Sequence, residues 1–170
     1  MLDNGKALDL EKIDMEFVVP GVDDLGYRQQ LLADPETMAY NAPWTADGNG
    51  CIPQTDEQLR DWYQNHYLKS GMFYAYVIVD NAPVGEVAIG PDGMVSLIIE
   101  AKYRSSGYGK AALRKLCELA FTKLGYEFLV DDFPIERTGA VKLFTGLGFE
   151  WVNSDTVKLT KQQWLADTVT

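Results

Sequence analysis

The stretch YRSSGYGKAAL, residues 103–113, follows the apolar run MVSLII at 94–99 and leads into a segment with helical spacing. A strand that ends in a loop of two serines and two glycines, then starts a helix, keeps side-chain bulk away from its own backbone. The start of a helix carries unpaired N–H groups and a partial positive charge, and anions bind there. Gly107 and Gly109 let a phosphate approach the main chain closely. Lys110, Arg114 and Lys115 fall in the first two turns, where the helix dipole alone favours acids. Bases there fit a polyphosphate that offsets them. Neither G-x-G-x-x-G nor G-x-x-x-x-G-K-[ST] occurs in the chain. The expected ligand carries a pyrophosphate held by a different loop.

The rest of the chain bounds what surrounds this loop. Its 170 residues suit one domain with a proper core. A hydrophobic content of 46% with 12% aromatics argues for a globular fold. Cys51 and Cys117, far apart, make neither a disulfide framework nor a metal-ligand cluster, so no metal is expected. No secretory signal and no apolar run of about 18 residues is visible, which points to a cytoplasmic protein without a membrane partner. A net charge of −10 speaks against nucleic acid as a partner. Residues 1–60 hold 12 acids and 4 bases, whereas residues 101–150 hold 6 acids and 8 bases. Two readings of that asymmetry stay open: ordinary solubility charge, or a bipartite site with an anionic ligand on the later half and a cationic one on the earlier.

Along the chain, residues 1–12 are polar and are expected to be a frayed lead-in. MEFVVP is a strand closed by Pro20, and VDDLGYRQQLLAD a first helix. Residues 35–54 are loop-like yet carry Met38, Tyr40 and Trp44, and TDEQLRDWYQNHYLKS opens a second helix with Thr55. FYAYVIVD and GEVAIG flank NAPVG as a hairpin, and Pro91-Asp92-Gly93 turns into MVSLII. A helix over about 108–125 sets Leu113, Leu116, Cys117, Ala120 and Leu124 on one face, which makes Cys117 a core residue. YEFLVDDF is the next strand, ERTGAVKLFTGLG a short helix stopped by Gly148, and FEWVNS with DTVKLT a closing hairpin. The expected class is α/β: a mixed, mostly antiparallel sheet flanked by helices, with one strand–helix–strand unit in the middle.

R-x-x-G-x-G at Arg104, Gly107 and Gly109, directly after an apolar strand, resembles the acetyl-CoA pyrophosphate loop of the GNAT N-acetyltransferases. AVKLFTGLGF at 140–149 is similar to that family's late helix, which ends in Gly-Phe before a strand. The resemblance covers roughly residues 15–160. It implies a single-domain GNAT fold whose central strand (94–99) splays from the following one (126–133) to admit acetyl-CoA. An acceptor-side half would span 15–80, an acetyl-CoA-binding core 85–150 and a terminal hairpin 149–160. Backbone groups of Leu97, Ile98 and Ile99 would pair with the pantetheine arm and the thioester carbonyl. Amides of Ser105, Ser106, Gly107, Tyr108, Gly109 and Lys110 would hold the pyrophosphate, with Arg104 framing the loop. Three positions depart from the family: Ala101 replaces a common Pro, Arg137 lies near a common Asn, and Phe144 matches the Tyr that commonly protonates the leaving thiolate. Phe144 would still line the cofactor, but it has no proton to donate.

Attack on a thioester needs a neutral amine, and an ammonium with a pKa of about 10 must first lose a proton. Glu86, on the strand beside the central one, is the first candidate for that relay, with a solvent-facing strand acid as the alternative. Glu100 and the pair Asp131–Asp132, near strand ends, are the alternatives for that base, and Asp131 can equally anchor the amine or cap a turn. Asp132 is a candidate base or amine anchor, or a turn cap. Tyr74 and Tyr76 alternate with Phe73 and Val77, so either can offer a hydroxyl, Tyr76 to catalysis and Tyr74 to the acceptor. His66, the only histidine, fits a helix surface. Tyr40, Asn41 and Trp44, joined by Trp62 and Tyr63, would form an aromatic and polar acceptor pocket, and an aromatic, acidic wall suits a cation. Trp62 and Tyr63 can equally serve to pack their helix. The expected function is acetyl transfer to a primary amine, small and cationic or peptide-borne, through a ternary complex; a homodimer stays open. The alternative is a GNAT-fold acyl-CoA-binding or regulatory protein, because a fold does not dictate its chemistry.

Overall fold

The computed structural model describes residues 13–169, so the lead-in expected over 1–12 lies outside the described residues. The sheet is built outward from a hairpin of β2 (Phe73–Val79) and β3 (Ala82–Ile89). Asp80 and Asn81 both hold positive φ, 50° and 63°, as a two-residue hairpin turn demands. The turn is therefore Asp80-Asn81 and not NAPVG, and Ala82, Pro83 and Val84 belong to β3. Val77 pairs with Gly85 and Ile78 with Pro83, so Val84 is the extra residue of a bulge. β1 (Met15–Val18) joins the free side of β2, and β4 (Val95–Ile99) that of β3, giving an antiparallel sheet β1-β2-β3-β4.

A second antiparallel sheet has the order β5-β7-β6, from β5 (Phe128–Asp132), β6 (Glu150–Trp151) and β7 (Thr156–Thr160). The expected closing hairpin forms as β6 and β7, with β7 in the middle. The two sheets meet at a single parallel bridge, Met94 to Val130, with Val130 N–H donating to Gly93 C=O at 2.9 Å. Beyond it the strands part.

On the acceptor side lie α1 (Gly26–Ala33), α2 (Pro35–Met38) and a 3-10 segment over 39–44. The stretch expected as loop turns helical because Asp34 accepts the Glu36 N–H and Pro35 opens the turn. Next come α3 (Asp56–Asp61), a π-helical turn (Trp62–Tyr67) and α4 (Leu68–Ser70). Thr55 and Gln58 cap α3 reciprocally. The first helix starts at Gly26, later than Val22, since Asp24 N–H closes a turn onto Gly21 C=O at 3.0 Å.

On the other side, α5 (Tyr108–Thr122) covers the sheet, and α6 (Thr138–Gly146) covers β5 and β7. Leu113, Leu116, Cys117 and Ala120 are fully buried against Ala75, Val77, Val87 and Ile89. Burial pushes the Cys117 thiol up to about 12, as fits a core residue. Leu124 falls past the end of α5 and is 40% exposed, so it leaves the expected face. α7 (Lys161–Thr168) was not legible in the spacing; a second reciprocal cap, Thr160 with Gln163, starts it.

Gly85 sits where a Cβ would stand 2.1 Å from Ile98 C=O, a backbone atom that cannot move without breaking the β3–β4 ladder. Gly85→Ala should therefore cost about 3 kcal/mol. Urea unfolding should show a lower midpoint at unchanged slope, and an unaltered midpoint would contradict this packing.

Candidate functional site

The splay opens a cleft of about 680 Å³ between β4, the start of α5, and the β5–α6 wall. Its chemistry begins with backbone parity. Gly90 N–H donates to Met94 C=O (2.8 Å) and Glu100 N–H donates to Val84 C=O (2.9 Å). Antiparallel bonding alternates, so Ser96 and Ile98 also turn their backbone groups to β3, while Leu97 and Ile99 turn theirs to the cleft. This corrects the expectation for Ile98. Its main chain is spent on Glu86 of β3, and its side chain packs against Leu31, Leu32 and Met38.

At the mouth, Ser105 (φ 66°) and Gly107 (φ 82°) bend the chain into left-handed conformations ahead of α5. The first helical bond there runs from Ala111 N–H to Gly107 C=O at 3.1 Å, which leaves the N–H groups of Tyr108, Gly109 and Lys110 without helical acceptors. A Cβ on Gly109 would project toward Ile99 and Leu143, at 3.8 and 4.0 Å, across the cleft floor. A pyrophosphate-bearing ligand with an amide-rich arm fits these groups: free N–H donors at one end, an unpaired strand edge along the middle. Ser105, Gly107, Tyr108, Gly109 and Lys110 line the cleft, whereas Ser106 does not. Lys110 and Arg114 share one face of α5 by their spacing. Lys115 does not join them; its ammonium lies 5.7 Å from the Phe17 ring centroid, in a groove with Glu16 and Glu118.

Arg104 braces this loop. Its guanidinium donates to Ile99 C=O (3.2 Å), Glu36 C=O (3.3 Å) and Thr37 C=O (2.6 Å), tying β4 and α2 to the loop. Phe144 forms part of the far wall, 3% exposed, with its ring 5.2 Å from Phe133 and 4.9 Å from Phe149.

The β5 acids are separated by strand alternation. Asp131 shares the core face with Leu129 and Phe133 and lines the cleft. Asp132 points to the other face, exposed, and accepts Thr156 Oγ1–H at 2.7 Å. Of the expected pair, Asp131 and not Asp132 reaches the site. Asp131 Oδ1 accepts the Asp132 N–H at 2.8 Å. Burial pushes its carboxyl up to about 7, against the opposing pull of Arg137. Arg137, which the sequence marked only as a departure, lies over the Tyr40 ring at 4.7 Å, and both line the cleft.

The other acceptor-side candidates are tied into the fold or stand away from the cleft. Asn41 Nδ2–H donates to Gly50 C=O at 3.0 Å, and Trp44 is 65% exposed and outside the cleft lining. Glu86 is buried, so the solvent-facing alternative is wrong: its carboxylate accepts Arg28 Nη1–H at 2.7 Å and the Tyr74 hydroxyl. The Arg28 guanidinium lies 4.1 Å from the Trp62 ring centroid and 5.2 Å from that of Tyr74. Of the expected acceptor pocket only Tyr40 lines the cleft; Trp62 instead joins Tyr74 and Glu86 in a separate aromatic, acidic box, which the chain's own Arg28 fills. Tyr76 donates to Asp24 C=O at 2.7 Å and accepts the Arg28 backbone N–H at 3.3 Å, which pins α1 to the sheet; burial pushes its phenol up to about 12. Tyr74 and Tyr76 thus offer no free hydroxyl to the cleft. Sequence reasoning missed Arg28, and only its place in the acidic early half hinted at it.

The model of the acetyltransferase (GNAT) domain family matches residues 19–150. Among solved structures, the fold is similar to a spermidine N-acetyltransferase from Vibrio cholerae in complex with CoA and spermine: 16% identity, 89% of this chain and 98% of that one, TM-score 0.72. It is also similar to an acetyltransferase (GNAT family) from Bacillus anthracis, at 13% identity with the same coverage and a TM-score of 0.68. At such identities the likeness is one of fold. No curated protein matches. Among the described residues no helix is long and apolar enough to cross a membrane, and no group of His, Cys, Asp and Glu is placed to hold a metal ion.

Glu86 and Asp131 each give a measurable outcome. Glu86→Gln strands the Arg28 charge and should cost about 3 kcal/mol in urea unfolding, so any loss of rate must be read beside it. An unchanged midpoint would mean the pair is not formed. Asp131 binds its proton more tightly folded than unfolded. It adds stability below its ordinary pKa of about 4, and that increment is lost as pH rises through 7. Asp131→Asn should flatten the fall in stability between those two pH values.

Proposed function

The chain belongs to the GNAT acetyltransferase family, and on that premise we propose that it transfers the acetyl group of acetyl-CoA to a primary amine by direct attack in a ternary complex. The observation that carries this is the continuity of the cleft. Free N–H donors of Tyr108, Gly109 and Lys110 stand at the mouth, with the uncovered strand edge of Leu97 and the Ile99 N–H beyond them. The helix start receives the pyrophosphate, and Lys110 and Arg114 neutralise it. The strand edge pairs with the amides of the pantetheine arm and directs the thioester toward the apex of the splay. Acetyl-CoA supplies the activated acyl group; Arg104 holds the loop and strand in register for it.

The acceptor enters beside Tyr40, Asp131 and Arg137, because Arg28 closes the box of Trp62, Tyr74 and Glu86. The Vibrio cholerae protein is a spermidine N-acetyltransferase, which supports small cationic amines as the first class to assay. Peptide amines are the second.

Calorimetry with acetyl-CoA tests the placement. Gly107→Val forces a branched residue into φ 82°, should unseat the loop, and should weaken binding at least about 10-fold while the far-UV spectrum is kept. Arg104→Ala should weaken it less. Unchanged affinity in Gly107→Val would sink this site. A thiol-release assay across polyamines, aminoglycosides, amino acids and N-terminal peptides tests the activity. Tight acetyl-CoA binding with no amine-dependent release would favour an acyl-CoA-binding protein.

A further inference from the structure

Breaking the C–S bond leaves a thiolate, and the cleft wall that faces it carries Phe144, a ring without a proton to give. The nearby hydroxyls fail for separate reasons. Tyr74 and Tyr76 are engaged with Glu86 and the Asp24 carbonyl. Tyr103 and Tyr108 belong to the loop end, where the 3-10 turn and α5 begin. Position along β4 then separates the acids. The phosphate-binding end of the cleft is at the C-terminal end of β4, and the apex is at Met94 and Val130. An extended ligand anchored at the loop and lying along β4 carries its far end toward that apex. Asp131 is the residue directly after Val130, on the face turned to the cleft. Glu136, which also lines the cleft, sits in the turn before α6.

We propose that Asp131 is the catalytic proton carrier of the transfer, taking a proton from the amine nitrogen as the C–N bond forms and delivering it to sulfur as the C–S bond breaks. The account balances without a co-reactant. A neutral amine loses one proton, the departing sulfur gains it, the acyl carbon exchanges sulfur for nitrogen, and the carboxyl ends as it began. The inference rests on the acetyl-transfer reading given above.

Three features of the site suit the role. The Asp132 N–H holds Oδ1 at 2.8 Å and fixes the carboxyl, while no hydrogen bond among the described residues engages Oδ2. The groups around it are Arg137 at the start of α6, which favours the anion, and Asp132 beside it, which disfavours it. Tyr40 shares the cleft and is kept neutral by burial, and Glu136 stands at its rim. Burial brings the carboxyl to about 7, so acid and base forms are both populated at neutral pH, the condition for efficient exchange in either direction.

The test combines turnover with two readouts that do not need it. In carbonyl-carbon NMR of protein labelled at aspartate, one side chain should titrate near 7 and vanish in Asp131→Asn. Acetyl-CoA affinity by calorimetry should be the same in parent and variant. The maximal rate of amine-dependent thiol release should fall about 100-fold or more in Asp131→Asn, with loss of the pH limb near 7. Asp131→Glu should recover part of the rate, and Asp132→Asn should keep it. Equal rates and the same pH limb in parent and Asp131→Asn, or no carboxyl titrating near 7, would overturn the assignment. A parent that binds acetyl-CoA yet releases no thiol with any amine would refute the transfer reading and this role together. That result is distinct from an active parent indifferent to Asp131.

Discussion

The edge of β4 that no strand covers is the constraint on which the rest of the molecule depends. β5 starts beside β4 at the Met94–Val130 bridge, but β7 claims it across five residue pairs, from Phe128–Thr160 to Asp132–Thr156. Phe133 N–H then goes to Asp155 C=O at 2.9 Å, which carries the chain further from β4. The Phe133–Phe144–Phe149 cluster packs α6 under the departing strand and props the opening. Backbone N–H and C=O groups inside a protein demand partners. Those of Leu97 and the N–H of Ile99 find none from a neighbouring strand, so the sheet holds a gap shaped for an amide-bearing guest.

That gap is useful only if its surroundings stay in place: Arg104 secures the loop end, and Arg28 the helix on the acceptor side. Arg104 spends its guanidinium on three backbone carbonyls, which ties its loop to the end of β4 and to α2. Arg28 does the same for α1 against β3 through Glu86, Trp62 and Tyr74. A buried pair of this kind returns little net stability, because desolvation offsets the attraction. Its effect is positional: it settles where α1 lies, and through Tyr76 and the Asp24 carbonyl it settles how that helix meets the sheet.

Local spacing made several elements legible. Residues 103–113 spelled out a helix start with room for a phosphate, and the structure puts Ser105 and Gly107 at positive φ there. Thr55 and Gln58 announced a capped helix, and Leu113, Leu116, Cys117 and Ala120 announced the buried face of α5. Each of these depends on atoms within one or two turns of each other. Thr160 and Gln163 carry the same signature for α7, beyond the hairpin that the strand spacing marks as the last element.

The family, the order of the strands and the bent start of α5 were legible in the sequence itself, since backbone geometry and helix ends answer to neighbours along the chain. Three matters were decided only by the tertiary structure. Which of Asp131 and Asp132 faces the cleft follows from the β5–β7 register and from which side α6 covers. Whether Glu86 is a free base follows from Arg28, 58 residues away along the chain. Whether Lys115 joins Lys110 and Arg114 at the cleft follows from Phe17 of β1, whose ring it meets in a different groove. Charge and strand period alone leave these open, because a side chain's partner is set by what the fold brings across from it.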